Sequence, residues 1–127
     1  MSDRPASPAA HSAWRIVAGL SGAAGVIAGA VGAHAAADEH LAKLAETASY
    51  YQLIHAAVLL WLASGETTGL RIARWLCLAG TVLFCGTLYL KALAPVAMPG
   101  LLAPVGGTAF ILAWLAIAVD GALSKRR

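Results

Sequence analysis

The residues with the most chemical capacity in this sequence lie in the segment SYYQLIH, which spans residues 49–55. The segment holds two tyrosines, a glutamine and a histidine, and it runs directly into the apolar sequence AAVLLWLASG. An imidazole beside hydroxyl and amide groups can bind a small molecule, ligate a metal ion or a haem, or hold neighbouring helices in register. The solvent around the segment decides which of these roles is open to it.

The amino-acid composition is that of a membrane protein. Of the 127 residues, 60% are hydrophobic and 12% are charged, and the mean hydropathy is +0.75. Soluble domains average about 45–50% apolar and about 25% charged residues, and a domain of about 150 residues buries only about 70% of its chain surface. We therefore expect the lipid bilayer to be the main partner. The formal charge of +3 is small, so nucleic acid is not an expected partner.

Four stretches of the chain approach the length of about 20 apolar residues that a helix needs to cross the bilayer. They cover about residues 14–33, 47–64, 72–93 and 101–123. The helix-breaking sequence GETTG separates the second stretch from the third, and PVAMPG separates the third from the fourth. The linker before the second stretch sets apolar residues against charged ones, which favours a short amphipathic helix at the outer surface. The apolar residues are Leu41, Leu44 and Ala45, and the charged ones are Asp38, Glu39, Lys43 and Glu46. The sequence predicts an all-α, four-helix transmembrane bundle as one domain, with a disordered tail over residues 1–13 and a basic tail over 124–127.

The distribution of basic residues predicts the orientation of this bundle. With four crossings, the N-terminus, the middle loop and the C-terminus share one side. That side holds Arg4, Arg15, Arg71, Arg74, Lys125, Arg126 and Arg127, and the other side holds Lys43 and Lys91. Because cytoplasmic loops are enriched in Lys and Arg, we expect a multi-pass inner-membrane protein with both termini in the cytoplasm.

Small residues in the first span recur at alternating spacings of four and three. They are Ala18, Gly22, Gly25, Gly29, Gly32 and Ala36. This spacing places them on one stripe of a helix, where small side chains allow a second backbone to approach closely in lipid. The stripe predicts that the first span packs inside a bundle, against another span of the chain or a second copy.

His55 lies eight residues past Thr47, which places it about 12 Å along the second span. A polar group at that depth is costly unless it is paired, and such residues turn toward the bundle interior. We expect a neutral, hydrogen-bonded His55, with its partners among Tyr51, Gln52, Thr87, Tyr89 and Thr108. A structural network, a small-molecule or lipid-headgroup site, and a metal or haem site remain as alternatives.

Four motifs resemble a known family of small membrane proteins. They are GAVGAH (29–34), TASYYQLIHA (47–56), FCGTLYL (84–90) and PVGGTAFILAW (104–114). Their order and spacing resemble the family called domain of unknown function 423, whose eukaryotic members are called transmembrane protein 256. The resemblance extends over essentially the whole chain after residue 14. The chain departs from the family pattern at Cys85, where serine is usual, at Ala103, where threonine is usual, and at Ala113, where glycine is usual.

The resemblance implies a four-helix membrane protein with no established biochemical activity. It also implies a set of signature positions: His34, Tyr51, Gln52, His55, Gly86, Tyr89, Pro104, Gly106 and Gly107. Gly86 joins the glycines expected to pack helices. The others form a hypothetical ligand-binding set on the outer half of the bundle.

Two functions compete on this evidence. The glycine stripe and the short loops favour a non-enzymatic scaffold or accessory protein, with a membrane protein or a second copy as partner. The polar cluster around His55 favours a carrier or binding protein for a small molecule or lipid. A third alternative is an enzyme or haem protein that uses His34 and His55. The chain has no HExxH, CxxC, nucleophile-elbow or phosphate-loop motif, so we expect no enzymatic activity, catalytic residue, metal site or cofactor.

Overall fold

The computed structural model describes residues 7–94 and 97–126, and these residues form a bundle of helices. The helices are α1 (Pro8–Ala35), α2 (Glu39–Leu62), α3 (Thr68–Gly80), α4 (Gly86–Leu93) and α5 (Leu102–Ser124). A π-helical turn, Thr81–Cys85, joins α3 to α4 without a break. We call the continuous helix Thr68–Leu93 the third span. The prediction of an all-α four-helix bundle is confirmed.

Local sequence signals explain where three of the helices start. Ser7, Asp38 and Thr67 precede α1, α2 and α3, and each side-chain oxygen accepts a hydrogen bond from the backbone N–H three residues later. These caps satisfy N–H groups that have no partner within the helix. Pro8 follows Ser7 at the first position of α1, where its missing N–H has no cost.

Neighbouring helices along the chain pack against each other in antiparallel fashion. α1 packs on α2, α2 packs on the third span, and the third span packs on α5. The start of α1 meets the α2–α3 loop, where His11 Nε2 lies 3.7 Å from Glu66 Oε1. Near the end of α5, Asp120 lies against Gly69 at the start of α3. The two ends of the described chain therefore lie at the same end of the bundle.

Three of the four predicted spans are long and apolar enough to cross a membrane: α1, the third span and α5. By the same criteria of length and mean hydropathy, α2 is not a candidate membrane span, although residues 47–64 were predicted to form one. The polar side chains of Ser49, Gln52 and His55 lower its hydropathy, yet all three are buried against other helices. Buried polar groups make a helix less hydrophobic without exposing those groups to lipid, so hydropathy by itself underrates α2.

Two predicted boundaries are wrong in detail. The amphipathic helix expected between the first two spans is not a separate element, because α2 starts at Glu39 and runs unbroken to Leu62. Its first turns carry the predicted charged residues on the exposed side, where Lys43 Nζ lies 2.6 Å from Glu46 Oε2 and this hydrogen bond raises the pKa of Lys43. The tail predicted to be disordered over 1–13 is helical from Pro8. Its residues 1–6 lie outside the described part of the chain.

The partner of the glycine stripe is α2. A Cβ added at Gly22 would contact the Ala56 side chain at 3.8 Å, and one at Gly25 would contact Leu53 at 3.2 Å. At Gly29 an added Cβ would meet the Ser49 side chain, and at Gly32 it would overlap the Ala45 side chain. All four glycines of the stripe therefore lie against side chains of α2.

Gly29→Ala is expected to lower the free energy of unfolding by about 1 kcal/mol. The added methyl group would displace the Ser49 hydroxyl, which donates a hydrogen bond of 2.9 Å to the Gly25 carbonyl oxygen across the α1–α2 interface. Gly19→Ala is the matched control, because a Cβ there meets no atom of the described residues within 4 Å. Thermal unfolding in mild detergent measures both, and equal stability of the two variants would contradict the assignment.

Candidate functional site

Both ring nitrogens of His55 are hydrogen-bonded. Nδ1 lies 2.7 Å from the carbonyl oxygen of Tyr51, one turn earlier in α2. Nε2 lies 3.2 Å from the indole Nε1 of Trp114 in α5. A carbonyl oxygen only accepts and an indole N–H only donates, so the proton of the imidazole is on Nδ1 and Nε2 is the acceptor. His55 is therefore neutral and paired, as expected from its depth, and it is only 4% exposed.

Aromatic rings enclose the imidazole, and we call this group the His55 cluster: Tyr51, His55, Phe84, Phe110 and Trp114. The His55 and Phe110 rings stack with centroids 3.7 Å apart. The Tyr51 ring packs on Phe84, with centroids 4.8 Å apart. These side chains fill the space between α2 and α5. The described Cα atoms of these two helices lie more than 8 Å apart, so the contact between them is made by side chains.

The π-helical turn and two glycines position this cluster. Gly106 of α5 lies against the backbone of Leu83 and Phe84, and Gly80 lies against the ring of Phe110. A side chain at either glycine would push α5 away from the third span. The close approach that they permit brings Phe110 and Trp114, which lie on one face of α5 at a spacing of four, over His55.

A second group of polar residues lies where α1, α2 and α4 meet, and we call it the polar seam: Ser21, Ser49, Gln52 and Tyr89. Gln52 Nε2 donates to the Ser21 carbonyl oxygen at 2.9 Å, while Ser49 donates to α1 as described above. Two buried atoms of the seam, Gln52 Oε1 and the Tyr89 hydroxyl, have no hydrogen-bond partner among the described residues. Gln52 is only 7% exposed. These two atoms can each form a further hydrogen bond.

The residues predicted as one ligand-binding set are therefore divided among different places. Tyr51 and His55 lie in the His55 cluster, and Gln52 and Tyr89 lie in the polar seam. Gly106 packs on the third span, and a Cβ at Gly107 would make only an ordinary contact at 3.8 Å with Phe84. Pro104 lies exposed in the first turn of α5, as its sequence position predicts. Whether any of these residues binds a ligand stays a prediction.

Three other expectations are corrected. Thr87 and Thr108, predicted as partners of His55, donate to Leu83 and Pro104 in their own helices. Gly86 is not required by packing, because an added Cβ meets no atom of the described residues within 4 Å.

His34 does not lie near His55. It is exposed in the last turn of α1, whereas the neighbours of His55 on α1 lie near Gly22, twelve residues earlier. Twelve residues of helix span about 18 Å. A haem or metal shared by these two histidines therefore does not fit the geometry.

Comparison with known proteins identifies the family. A family model described as "Protein of unknown function (DUF423)" matches residues 28–107. The chain belongs to this family. A UPF0382 membrane protein of Staphylococcus epidermidis (strain ATCC 12228) is 37% identical over 110 residues, which are 82% of this chain and 90% of that protein. The UPF0382 inner membrane protein YgdD of Escherichia coli K12 is 33% identical over 121 residues, covering 88% of this chain and 91% of that protein. No solved structure matches the chain.

Two contacts between elements of this DUF423 member were not predicted from the sequence. Trp114 was not considered as a partner of His55, although its spacing of four from Phe110 is a signal that both lie on one face. Arg74 was counted only for orientation, yet it is 3% exposed and bonds backbone carbonyls at the end of α2. A lone arginine two residues inside a predicted span is the signal that could have indicated this buried role.

The chemistry available to the His55 cluster is limited by its own hydrogen bonds. A metal or haem would need a free imidazole nitrogen, and both nitrogens are already paired. Within residues 7–94 and 97–126, no group of three or more His, Cys, Asp or Glu side chains is placed to hold a metal ion. Cys77 and Cys85 are buried free thiols in the two apolar core clusters.

Trp114→Phe is expected to lower the free energy of unfolding by about 1 kcal/mol, because it keeps an aromatic ring but leaves buried Nε2 of His55 without its donor. Trp61→Phe is the control, since Trp61 is similarly exposed, at 59% against 48%, and its indole makes no hydrogen bond within the described residues. Thermal unfolding in detergent compares the two. A Trp114→Phe variant as stable as Trp61→Phe would show that the bond contributes nothing.

Proposed function

We propose that the protein is a non-enzymatic scaffold or accessory protein of a larger membrane assembly. The observation that carries this proposal is the use of both His55 ring nitrogens in contacts between the protein's own helices. A catalytic or ligand-binding imidazole needs one nitrogen for its substrate or ligand. Here the imidazole holds α5 to α2, which is a structural role.

The outer faces of the bundle support the same proposal. Large apolar side chains of α1 and α5 are exposed along both helices, including Leu20 at 67% and Ile111 at 61%. In the most apolar 18-residue stretch of each of these helices, only 17% is buried inside the bundle. Lipid covers such faces by default, and in a scaffold one of them also contacts a partner through close van der Waals packing.

In-membrane crosslinking of the full chain tests this function. A photoreactive residue is placed at Leu20 on α1, at Ile111 on α5, and at fully buried Leu59 as the control. We expect one defined protein adduct from Leu20 or Ile111, at a fixed stoichiometry in native mass spectrometry, and none from Leu59. Lipid adducts alone from both outer faces, together with a monomeric chain in native mass spectra, would count against the scaffold.

We propose further that both termini lie in the cytoplasm. Support comes from the packing, which puts both ends of the described chain at one end of the bundle, and from the seven basic residues on that side against two on the other. A reporter fused to the C-terminus is expected to be active only if it functions in the cytoplasm. Activity of a reporter that works only outside the cytoplasm would reverse the assignment.

One observation favours the alternative of a carrier or binding protein. Gln52 Oε1 and the Tyr89 hydroxyl are buried in the polar seam without partners among the described residues, and each can form a hydrogen bond with a small polar molecule. This function predicts that the intact protein retains a small-molecule adduct in mild detergent. Tyr89→Phe, which removes only the unpartnered hydroxyl, should weaken its retention, whereas Tyr50→Phe, at an exposed tyrosine of α2, should not. An adduct-free wild-type protein would exclude a tightly bound ligand.

A further inference from the structure

A cleft of about 790 Å³ opens between the start of α3 and the end of α5, at the end of the bundle that holds both termini. It lies away from the His55 cluster and the polar seam. Its walls are apolar over most of their length, with Ile72 and Leu76 on one side and Leu112, Leu115 and Val119 on the other. The volume is within the range of about 300–1,000 Å³ that is typical of small-molecule sites.

The end of this cleft at the membrane surface is polar and acidic. The lining there includes Glu66, Asp120 and the hydroxyl-bearing Thr67, Thr68 and Ser124. No lysine, arginine or histidine of the described residues lines the cleft itself, and the nearest basic side chain to Glu66 is His11, whose Nε2 lies 3.7 Å from Glu66 Oε1. The first turn of α3 also begins here, capped by Thr67, and the N-terminus of a helix favours negatively charged groups such as phosphate.

The dimensions match one leaflet of a bilayer. The α5 wall runs from Leu112 to Ser124, and the twelve steps between these residues correspond to about 18 Å of helix. Half of the hydrocarbon core is about 15 Å thick. A lipid in this cleft would therefore place its acyl chain along the apolar walls and its headgroup at the acidic end.

We propose that the cleft binds one phospholipid with an ethanolamine headgroup. The primary ammonium carries three N–H donors for the carboxylates of Glu66 and Asp120, and the phosphate lies near the threonine hydroxyls and the N-terminus of α3. A phosphatidylglycerol lacks the ammonium and brings a net negative charge to two carboxylates. A quaternary choline headgroup has the positive charge but no N–H donor. The inference is independent of the proposed scaffold function.

Native mass spectrometry of the full chain tests the proposal. The protein is purified in mild detergent and offered equal amounts of phosphatidylethanolamine, phosphatidylglycerol and phosphatidylcholine with identical acyl chains. We expect one bound phosphatidylethanolamine to be retained about three- to tenfold better than either competitor, as one partly exposed ionic hydrogen bond allows. Equal retention of the three lipids, or a preference for phosphatidylglycerol or phosphatidylcholine, would overturn the proposal.

Variants locate the bound lipid. Glu66→Gln is expected to remove the headgroup preference, and Glu39→Gln, which changes an exposed carboxylate at the opposite end of the bundle, to keep it. Because Asp120 also packs on Gly69, Asp120→Asn is interpreted only if its thermal unfolding matches the wild type. Leu115→Trp should displace the lipid, whereas Leu60→Trp, at a position equally exposed on α2, should not. Unchanged lipid binding in Glu66→Gln and Leu115→Trp, or a second copy in place of the lipid, would refute the site.

Discussion

Gly106→Ala is expected to lower the free energy of unfolding by about 2–3 kcal/mol, although it adds only one methyl group. A Cβ at this position would overlap the backbone nitrogen of Phe84 and lie 2.9 Å from the carbonyl carbon of Leu83. Backbone atoms cannot rotate out of the way, so α5 must move off the third span. That movement also pulls Phe110 and Trp114 away from His55.

Gly107→Ala provides the matched control, one residue away in the same helix. Its added Cβ would make an ordinary van der Waals contact at 3.8 Å with the Phe84 side chain. Alanine is also the better helix former by up to about 1 kcal/mol, so this variant should be as stable as the wild type or slightly more stable. Thermal unfolding in mild detergent measures the stability of both variants. If the two variants unfold alike, close packing at Gly106 is not essential.

The contrast between these two glycines illustrates what the sequence could predict. The four-residue and three-residue spacings in α1 identified a whole packing face, because regular spacing on one helix determines which residues share a side. The pair Gly106 and Gly107 has no such spacing. Only the orientation of α5 against the π-helical turn distinguishes the glycine that must remain glycine from the one that need not.

The hydrogen-bond partner of His55 could not be predicted from the sequence for a related reason. Depth in an apolar segment was enough to predict a neutral, paired imidazole, because an unpaired one is costly in lipid. The donor came from Trp114, which is 59 residues away along the chain. Its position over His55 depends on the rotation of α5, which Gly80 and Gly106 set by close contact. The nearer candidates Thr87 and Thr108 bond their own helices, as hydroxyl groups in membrane helices commonly do.

Arg74 connects three elements at the end of the bundle that holds the termini. Its Nε and Nη2 donate to the Leu62 carbonyl oxygen at 3.2 and 2.7 Å, and Nη2 also donates to the Gly65 carbonyl oxygen at 2.6 Å. The last carbonyl groups of a helix have no partner within it. The guanidinium adds charged donors to the Leu62 carbonyl oxygen, which also accepts from the Gly65 N–H at 2.9 Å, and it bonds the Gly65 carbonyl oxygen in the loop after α2. It also lies 5.2 Å from the centre of the Trp14 ring, which ties α1 to the same point.

Arg74→Met is therefore expected to lower the free energy of unfolding by about 2 kcal/mol. It keeps much of the side-chain volume but leaves the Gly65 carbonyl oxygen without a donor among the described residues. It also removes the charged donors of the Leu62 carbonyl oxygen, which keeps only the Gly65 N–H at 2.9 Å. Arg74→Lys should recover only part of this loss, because one ammonium cannot reproduce the planar fork of the guanidinium. Arg71→Met removes the same charge one turn earlier in α3, at a side chain with no hydrogen bond among the described residues, and should cost less than about 0.5 kcal/mol. Thermal unfolding of the three variants shows whether the stabilisation comes from the hydrogen bonds of Arg74 or from its charge. Equal losses for Arg71→Met and Arg74→Met would mean that the charge itself, rather than the bonds to α2, stabilises this end of the bundle.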